Sequence, residues 1–247
     1  MNISIDWISV SFPSFEGRLA TREYLADKMP EFSDWHNGKG RAPYPFGYQG
    51  VGASFYFKQL GALLEITGTG CHRIADNDKL LTWYLSQKLT RIDICVDYED
   101  TAPQSMVRDA KITGMFDTQS GYTAYLGSSK SDTMARIYKY AKPHPRADLT
   151  RYEVVFRRKN AMSIAHALLN GDNDKVWGTM VNFARRRGIV LPDDTGDKMP
   201  RVVMTPITGD KKHAGTIRWL QKQVAPAINK LRENGISDKD IKSWLKI

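Results

Sequence analysis

The sequence predicts an α+β fold in which a largely antiparallel sheet carries the functional face and helices cover the opposite one. Three observations point there. Strand-like segments with period-two alternation crowd the first two thirds of the chain. Two of them, Tyr122–Leu126 and Met134–Tyr140, flank Gly127 and the polar run Ser128–Asp132 and so form a hairpin. After Arg158 the pattern turns helical. Residues 1–159 therefore read as a sheet-rich region, and 160–247 as a mostly helical region packed on the same domain.

Asn2–Phe12 is rich in Ile, Val and Trp and predicts the first strand. Asp6 within it reads as a strand-end carboxylate bonded to backbone rather than as a chemical group. Ser14 is placed to cap a helix through about Lys28, with Leu19, Tyr24, Leu25 and Met29 on one face. Trp35–Gly52 is rich in Gly, Pro and aromatics and reads as a loop whose rings pack, with base stacking as the alternative. Ala53–Lys58 and Ala62–Thr67 are two strands joined at Gln59–Gly61. The Gly68-Thr69-Gly70 turn that follows offers backbone N–H groups to a phosphate, without the lysine or length of a P-loop. Asp76 or Asn77 caps a helix through Gln87, with Leu80, Leu81, Tyr84 and Leu85 facing inward.

Thr90–Tyr98 alternates cleanly. Ile92, Ile94 and Val96 take one face; Arg91, Asp93, Cys95 and Asp97 take the other. At ~3.3 Å per residue, the Cα atoms of Asp93 and Asp97 stand roughly 13 Å apart, too far to chelate one ion symmetrically. One carboxylate can bind a metal while the other orients a neighbour. A solvated strand face is the plain alternative. Pro103–Lys111 is a short crossover helix before the hairpin. On the hairpin's second arm Arg136, Tyr138 and Tyr140 share a face. Arg151–Arg158 gives a third strand, with Tyr152, Val154 and Phe156 on the apolar side and Arg151, Glu153, Val155 and Arg157 opposite. Helices follow at Asn160–Leu169, Asn173–Arg187 and Thr216–Asn234, the last with a break near Pro226. Arg201–Thr205 reads as a short strand, and Ser237 caps a final helix carrying Ile241, Trp244 and Leu245.

With 36 Lys+Arg against 27 Asp+Glu the formal net charge is +9, which favours a polyanionic partner, nucleic acid before membrane. Two cysteines make no disulfide framework, and no Cys/His spacing suggests zinc. Neither a membrane-spanning run nor a signal-peptide pattern is present in the sequence, so a cytoplasmic location is expected.

If the three informative strands are sheet neighbours, Asp93, Asp97, Arg136, Tyr138, Arg151 and Glu153 meet on one face. That set suits phosphodiester cleavage: carboxylates for a divalent cation, arginines for phosphate, and a phenol as nucleophile. Tyr138 is the expected nucleophile, with Tyr125 and Tyr140 as competitors. The cations expected on DNA are Arg91, Lys130, Lys142, Arg151, Arg157, and Arg185 and Arg186 of the Arg185-Arg186-Arg187 triplet, although that triplet also complements its helix dipole.

The order Arg91-Ile-Asp-Ile-Cys-Val-Asp97, Tyr125-Leu-Gly-Ser, Ser131, Arg136-Ile-Tyr138 and Arg151-Tyr-Glu153 resembles the Rep_trans replication initiation family. That family comprises rolling-circle initiators of pT181-type plasmids, related relaxases, and filamentous-phage initiators. Thr67-Gly-Thr-Gly-Cys71 and Trp219-Leu-Gln-Lys-Gln-Val-Ala-Pro226 are similar to segments of the phage-type members. The resemblance implies an endonuclease that nicks one strand at an origin, holds the 5′ phosphate on Tyr138 and leaves a 3′ hydroxyl. It implies Mg²⁺ or Mn²⁺ held by Asp93, Glu153 and Asp97. It implies single-stranded or melted origin DNA as partner, with a host helicase a further candidate. It leaves the oligomeric state open, a dimer among the options. One departure stands out: Lys139-Tyr140-Ala141-Lys142 replaces the family's acidic-Lys continuation and leaves only Lys142 matched. An origin-binding regulator without catalysis is the alternative that this departure motivates.

Overall fold

β1 (Ser4–Glu16) runs through the middle of the sheet in a computed structural model that describes residues 3–142, 144, 146–204, 225–237, 240 and 243. The chain divides into two compact units, Met1–Met204 and Thr205–Ile247. Among the described residues the first unit holds one ten-stranded sheet. Its strands after β1 are β2 (His36–Arg41), β3 (Tyr44–Gly50), β4 (Ala53–Phe57), β5 (Leu60–Thr67) and β6 (Leu89–Glu99). Then come β7 (Gly114–Thr118), β8 (Gly121–Leu126), β9 (Thr133–Tyr140) and β10 (Leu149–Arg157). The order across the sheet is β2-β3-β4-β5-β1-β6-β10-β9-β8-β7, and every pairing is antiparallel.

The α-helices are α1 (Arg22–Lys28), α2 (Thr69–Ala75), α3 (Asp78–Ser86), α4 (Pro103–Val107), α5 (Lys159–Leu169) and α6 (Asn173–Arg187), with α7 (Ala225–Glu233) in the second unit. The even-numbered residues of β6 and β10 and the odd-numbered Ile137 of β9 point to one side. There Ile92, Ile94, Val154, Phe156 and Ile137 are completely buried, with Ile164 of α5 and Met180 of α6 in the same core. The Tyr152 hydroxyl, also on this side, donates to the Met180 carbonyl at 2.9 Å. The α+β expectation, with helices on the face away from the polar residues, describes this architecture.

Several local expectations need correction. The segment from Ser14 is not helical: β1 continues to Glu16 because Phe12 and Phe15 pack their rings on Phe55, at 6.5 and 5.3 Å. The helix begins later, capped by Thr21, whose hydroxyl accepts from the Tyr24 N–H at 3.1 Å. The expected loop at 35–52 contains the β2–β3 hairpin. Its glycines fit strands: a Cβ at Gly40 would lie 2.1 Å from the Pro45 carbonyl oxygen, so side chains are excluded for closeness of backbone. β7 went unforeseen, and Arg201–Met204 is not a strand. In α3 the cap is Asn77, which accepts from the N–H groups of Lys79 and Leu80. The expected helix at 216–234 is described only from Ala225. Ser237 does cap the last helix, its hydroxyl accepting from the Asp240 N–H at 3.2 Å, while Ile241, Trp244, Leu245 and Trp219 lie outside the described residues. No helix among the described residues is long and apolar enough to cross a membrane.

Candidate active site

β6, β10 and β9 are adjacent, and their register builds the site. Asp97, Arg151, Tyr138 and Thr123 stand directly opposite one another across four strands. So do Cys95, Glu153, Arg136 and Tyr125 in the next row. Partners across a ladder share a face, so all of these side chains project to the side away from α5 and α6. The face is far from a solvated one at its centre: Asp93 and Glu153 are 0% exposed.

Glu153 is the hub. Its Oε1 accepts from Arg136 through Nε at 2.7 Å and Nη2 at 2.6 Å. Its Oε2 accepts a long hydrogen bond, 3.2 Å, from the Tyr138 hydroxyl. Asp93 is gripped by Arg91 through both carboxylate oxygens, the Nε contact measuring 2.8 Å, and Arg136 Nη2 lies 3.7 Å away. Arg91 itself lies over the Trp7 ring at 4.1 Å. Burial, then the negative charge of Asp93, push the Glu153 carboxyl up to about 8 against the pull of Arg136. The surroundings thus favour the protonated form of Glu153 more than water does. Burial, then the charge of Glu153, also raise the Tyr138 phenol well above its ordinary range, while Arg151 pulls it down.

Arg151 forms a second ionic centre beside the phenol. It holds Asp97 bidentately, Nε to Oδ1 at 2.6 Å and Nη2 to Oδ2 at 2.7 Å, and reaches Asp6 Oδ1 with Nη1 at 2.5 Å. Asp6 is the extra residue where the β1–β6 register shifts, between the Ile5–Ile94 and Trp7–Asp93 pairs. The irregularity lets its carboxylate join the site face. Asp6 was expected to bond backbone, and this is the site residue that sequence reasoning missed.

A cleft of about 620 Å³ opens over these groups. Asp6, Gly68, Arg136, Tyr138, Tyr140 and Arg146 are among its walls. Tyr140 is 40% exposed, meets the Tyr138 ring edge-on at 5.4 Å, and stacks on His144 at 3.8 Å. Arg146 Nη2 and His72 Nε2 are 2.9 Å apart on the same side. The glycine turn lies at this cleft, but its expected phosphate role is only partly open. The Gly68 N–H is taken by the Asp6 carbonyl at 2.9 Å. Gly70 is required by packing, since a Cβ there would lie 2.1 Å from the Gly52 oxygen.

The comparisons with known proteins bear on this arrangement. No family model matches the chain, and no curated protein does. Among solved structures, the chain matches the rolling circle replication initiator protein from Geobacillus stearothermophilus. The TM-score is 0.53 at 17% identity, over 82% of this chain and 93% of that one. The fold resembles that of a rolling-circle replication initiator. At that identity the likeness is one of fold, and the roles of the side chains rest on geometry.

Of the cations expected on DNA, Arg91 and Arg151 are turned to carboxylates inside the face, and Arg151 is only 5% exposed. Arg157 is half-buried, with Nη1 donating to the Ser131 carbonyl at 3.2 Å. Lys130 is exposed in the β8–β9 loop, and Lys142 is exposed with Asp148 at 3.8 Å. Arg185 is held by Asp194 and by the Asp197 carbonyl, so its first role is to pin the loop after α6. Arg186 is exposed and makes no ion pair among the described residues.

Among the described residues no group of three or more His, Cys, Asp and Glu gathers as a metal cage. Two carboxylates do meet at Glu153 and Asp93, and their mutual repulsion contributes to the raised Glu153 value. Both are buried with their oxygens on Arg91, Arg136 and Tyr138, so a hard divalent cation would reach the pair only by displacing those donors. Asp97 is bound on both oxygens by Arg151, as Asp93 is by Arg91.

Proposed function

We propose that the chain nicks one strand of DNA at a replication origin, with Tyr138 as nucleophile. The observation that carries this reading is the Arg136–Glu153–Tyr138 hydrogen-bonded group, whose Arg136 and Tyr138 line an open cleft above the buried Glu153. The initiator-like fold supports it.

The Tyr138 oxygen forms a bond to phosphorus as the bond from phosphorus to the 3′ oxygen breaks. A 5′-phosphotyrosine and a free 3′ hydroxyl result. Glu153 Oε2 is the first station for the phenolic proton, at 3.2 Å. It acts in its ionised form, so a group pushed up to about 8 is tuned near the working range of a base. Arg136 holds Glu153 in place and presents its remaining N–H groups to the non-bridging oxygens. Arg151, fixed by Asp97 and Asp6, supplies the positive charge that favours a phenolate. Asp93 and Glu153 would hold Mg²⁺ or Mn²⁺. When bound, that ion supplies Lewis-acid stabilisation of the phosphate.

The test is incubation of single-stranded oligonucleotides, tiled across the DNA that encodes the chain, with Mn²⁺ or with EDTA. A metal-dependent nick and covalent adduct, absent in Tyr138→Phe, is the expected result. A second reading, an origin-binding regulator without catalysis, is favoured by the burial of Tyr138 and its raised phenol. Sequence-specific binding with no nick in any metal selects it. A nick with a free 5′ phosphate and no adduct selects simple hydrolysis instead.

A further inference from the structure

The helix-covered side of the sheet carries a second groove, of about 1080 Å³, larger than the cleft over Tyr138. Its walls are the first turn of α5, one stripe of α6, and the segment 198–204. The α6 stripe is Thr179, Asn182, Phe183 and Arg186, spaced i, i+3, i+4, i+7 along one helix face. Phe156 lies at the floor. It alternates with Glu153 along β10, so groove and candidate active site are on opposite faces of the sheet.

Charge sets this groove apart. Lys159, Arg186, Arg187, Lys198 and Arg201 line it, and none of them makes an ion pair among the described residues. The one carboxylate in the lining among the described residues, Asp132, is already paired with Arg158 at 2.5 Å. Two of the arginines are held without being neutralised. Arg186 Nε donates to the Asn182 carbonyl at 3.3 Å, and the Arg187 guanidinium lies over the Phe183 ring at 5.5 Å. Five like charges around one concavity repel one another, and a polyanion relieves that repulsion by releasing its own counterions. Arg185, next to them on the helix, is turned to Asp194 instead. The triplet therefore divides into one residue that pins a loop and two that face the groove.

We propose that this groove binds the sugar–phosphate backbone of a second stretch of DNA, independently of base sequence. The partner rests on the functional reading above, with the groove and Tyr138 on opposite faces of the sheet. The chain then holds flanking duplex on its helical side and presents the reacting strand to its open side. The groove adds affinity and salt dependence, and it leaves the choice of nick position to the other face.

The experiment uses the full chain carrying Arg186→Glu, Lys198→Glu and Arg201→Glu together, and a random-sequence DNA duplex titrated over a range of salt. Three lost phosphate contacts lower the slope of log K against log salt by about 2.7, at about 0.9 for each contact. Affinity at low salt falls about tenfold or more. An unchanged thermal midpoint shows that the variant is folded, and a Lys198→Arg, Arg201→Lys variant retains wild-type binding. An unchanged affinity and slope in the folded triple variant overturns the proposal. So does competition by inorganic phosphate as effective as that by DNA, which identifies a small-phosphate site. The two readings fail separately. A chain that never nicks DNA but loses duplex binding in the triple variant keeps the groove and loses the nuclease. A chain that nicks DNA and binds duplex equally well in the variant keeps the nuclease and loses the groove.

Discussion

Glu153→Gln separates stability from chemistry at the centre of the site. In an unfolded chain a glutamate titrates near ~4.3. In the folded protein Glu153 titrates at about 8, because it is buried and faces Asp93. Between those values the unfolded state has released a proton that the folded state still holds. Stability from this group is thus fully present below ~4.3 and is lost as pH rises toward 8. Each pH unit well inside the window costs about 1.4 kcal/mol, so between about pH 5 and pH 8 the loss is about 3–4 kcal/mol. Glutamine has the shape of the protonated acid and does not titrate. The variant should match wild type within about 1 kcal/mol at about pH 5 and exceed it by about 3 kcal/mol at about pH 8. For a chain of this length that is a difference of about 10 °C in unfolding midpoint. Thermal and urea unfolding of both proteins across this range measure it. A difference between variant and wild type that is constant with pH refutes the reasoning. The same variant should form no adduct at any pH, because its amide does not take the phenolic proton.

Nicking by the wild type should rise with pH through about 8, as Glu153 ionises; a rate that is flat from about pH 6 to pH 9 removes Glu153 as the proton acceptor. Arg151→Ala removes the buried cation shared by the exposed Asp97 and the half-buried Asp6, and should lower stability by about 1.5–3 kcal/mol in urea unfolding. Asp6→Asn weakens the same centre and should slow adduct formation more than it weakens binding of a single strand. A variant that cuts at the wild-type rate shows that Asp6 does not act through Arg151. Arg185→Ala should open the 194–197 loop to limited proteolysis while duplex binding persists, whereas Arg186→Ala should weaken duplex binding and leave that loop protected.

Strand alternation made most of the site legible. Arg91, Asp93 and Asp97 on β6, Arg136 and Tyr138 on β9, and Arg151 and Glu153 on β10 share a face because each strand keeps strict period two. What alternation does not encode is which charge meets which. Arg151 binds an aspartate 145 residues earlier in the chain, and no local pattern signals that contact. Asp6 sits where the register slips, so simple alternation does not place its side chain. The β2–β3 hairpin was illegible because its strands are rich in glycine and low in β-branched residues; neighbouring backbone, not propensity, makes them strands. The helix expected from Ser14 failed because aromatic packing on Phe55 overrides a capping signal. The basic groove was half legible: the arginine triplet was visible, but Lys159, Lys198 and Arg201 reach it only through the fold.

The central claim is that Tyr138 takes the DNA strand. The chain itself provides a clean readout, since trypsin cuts after Arg136, Lys139 and Arg146 and so places Tyr138 and Tyr140 on separate peptides. The adduct formed with a single-stranded oligonucleotide would be trimmed by nuclease, digested, and mapped by mass spectrometry. The account predicts the residual nucleotide on Ile137-Tyr138-Lys139. A nucleotide on the peptide from Tyr140 to Arg146, or on the peptide with Tyr125, contradicts it and moves the nucleophile.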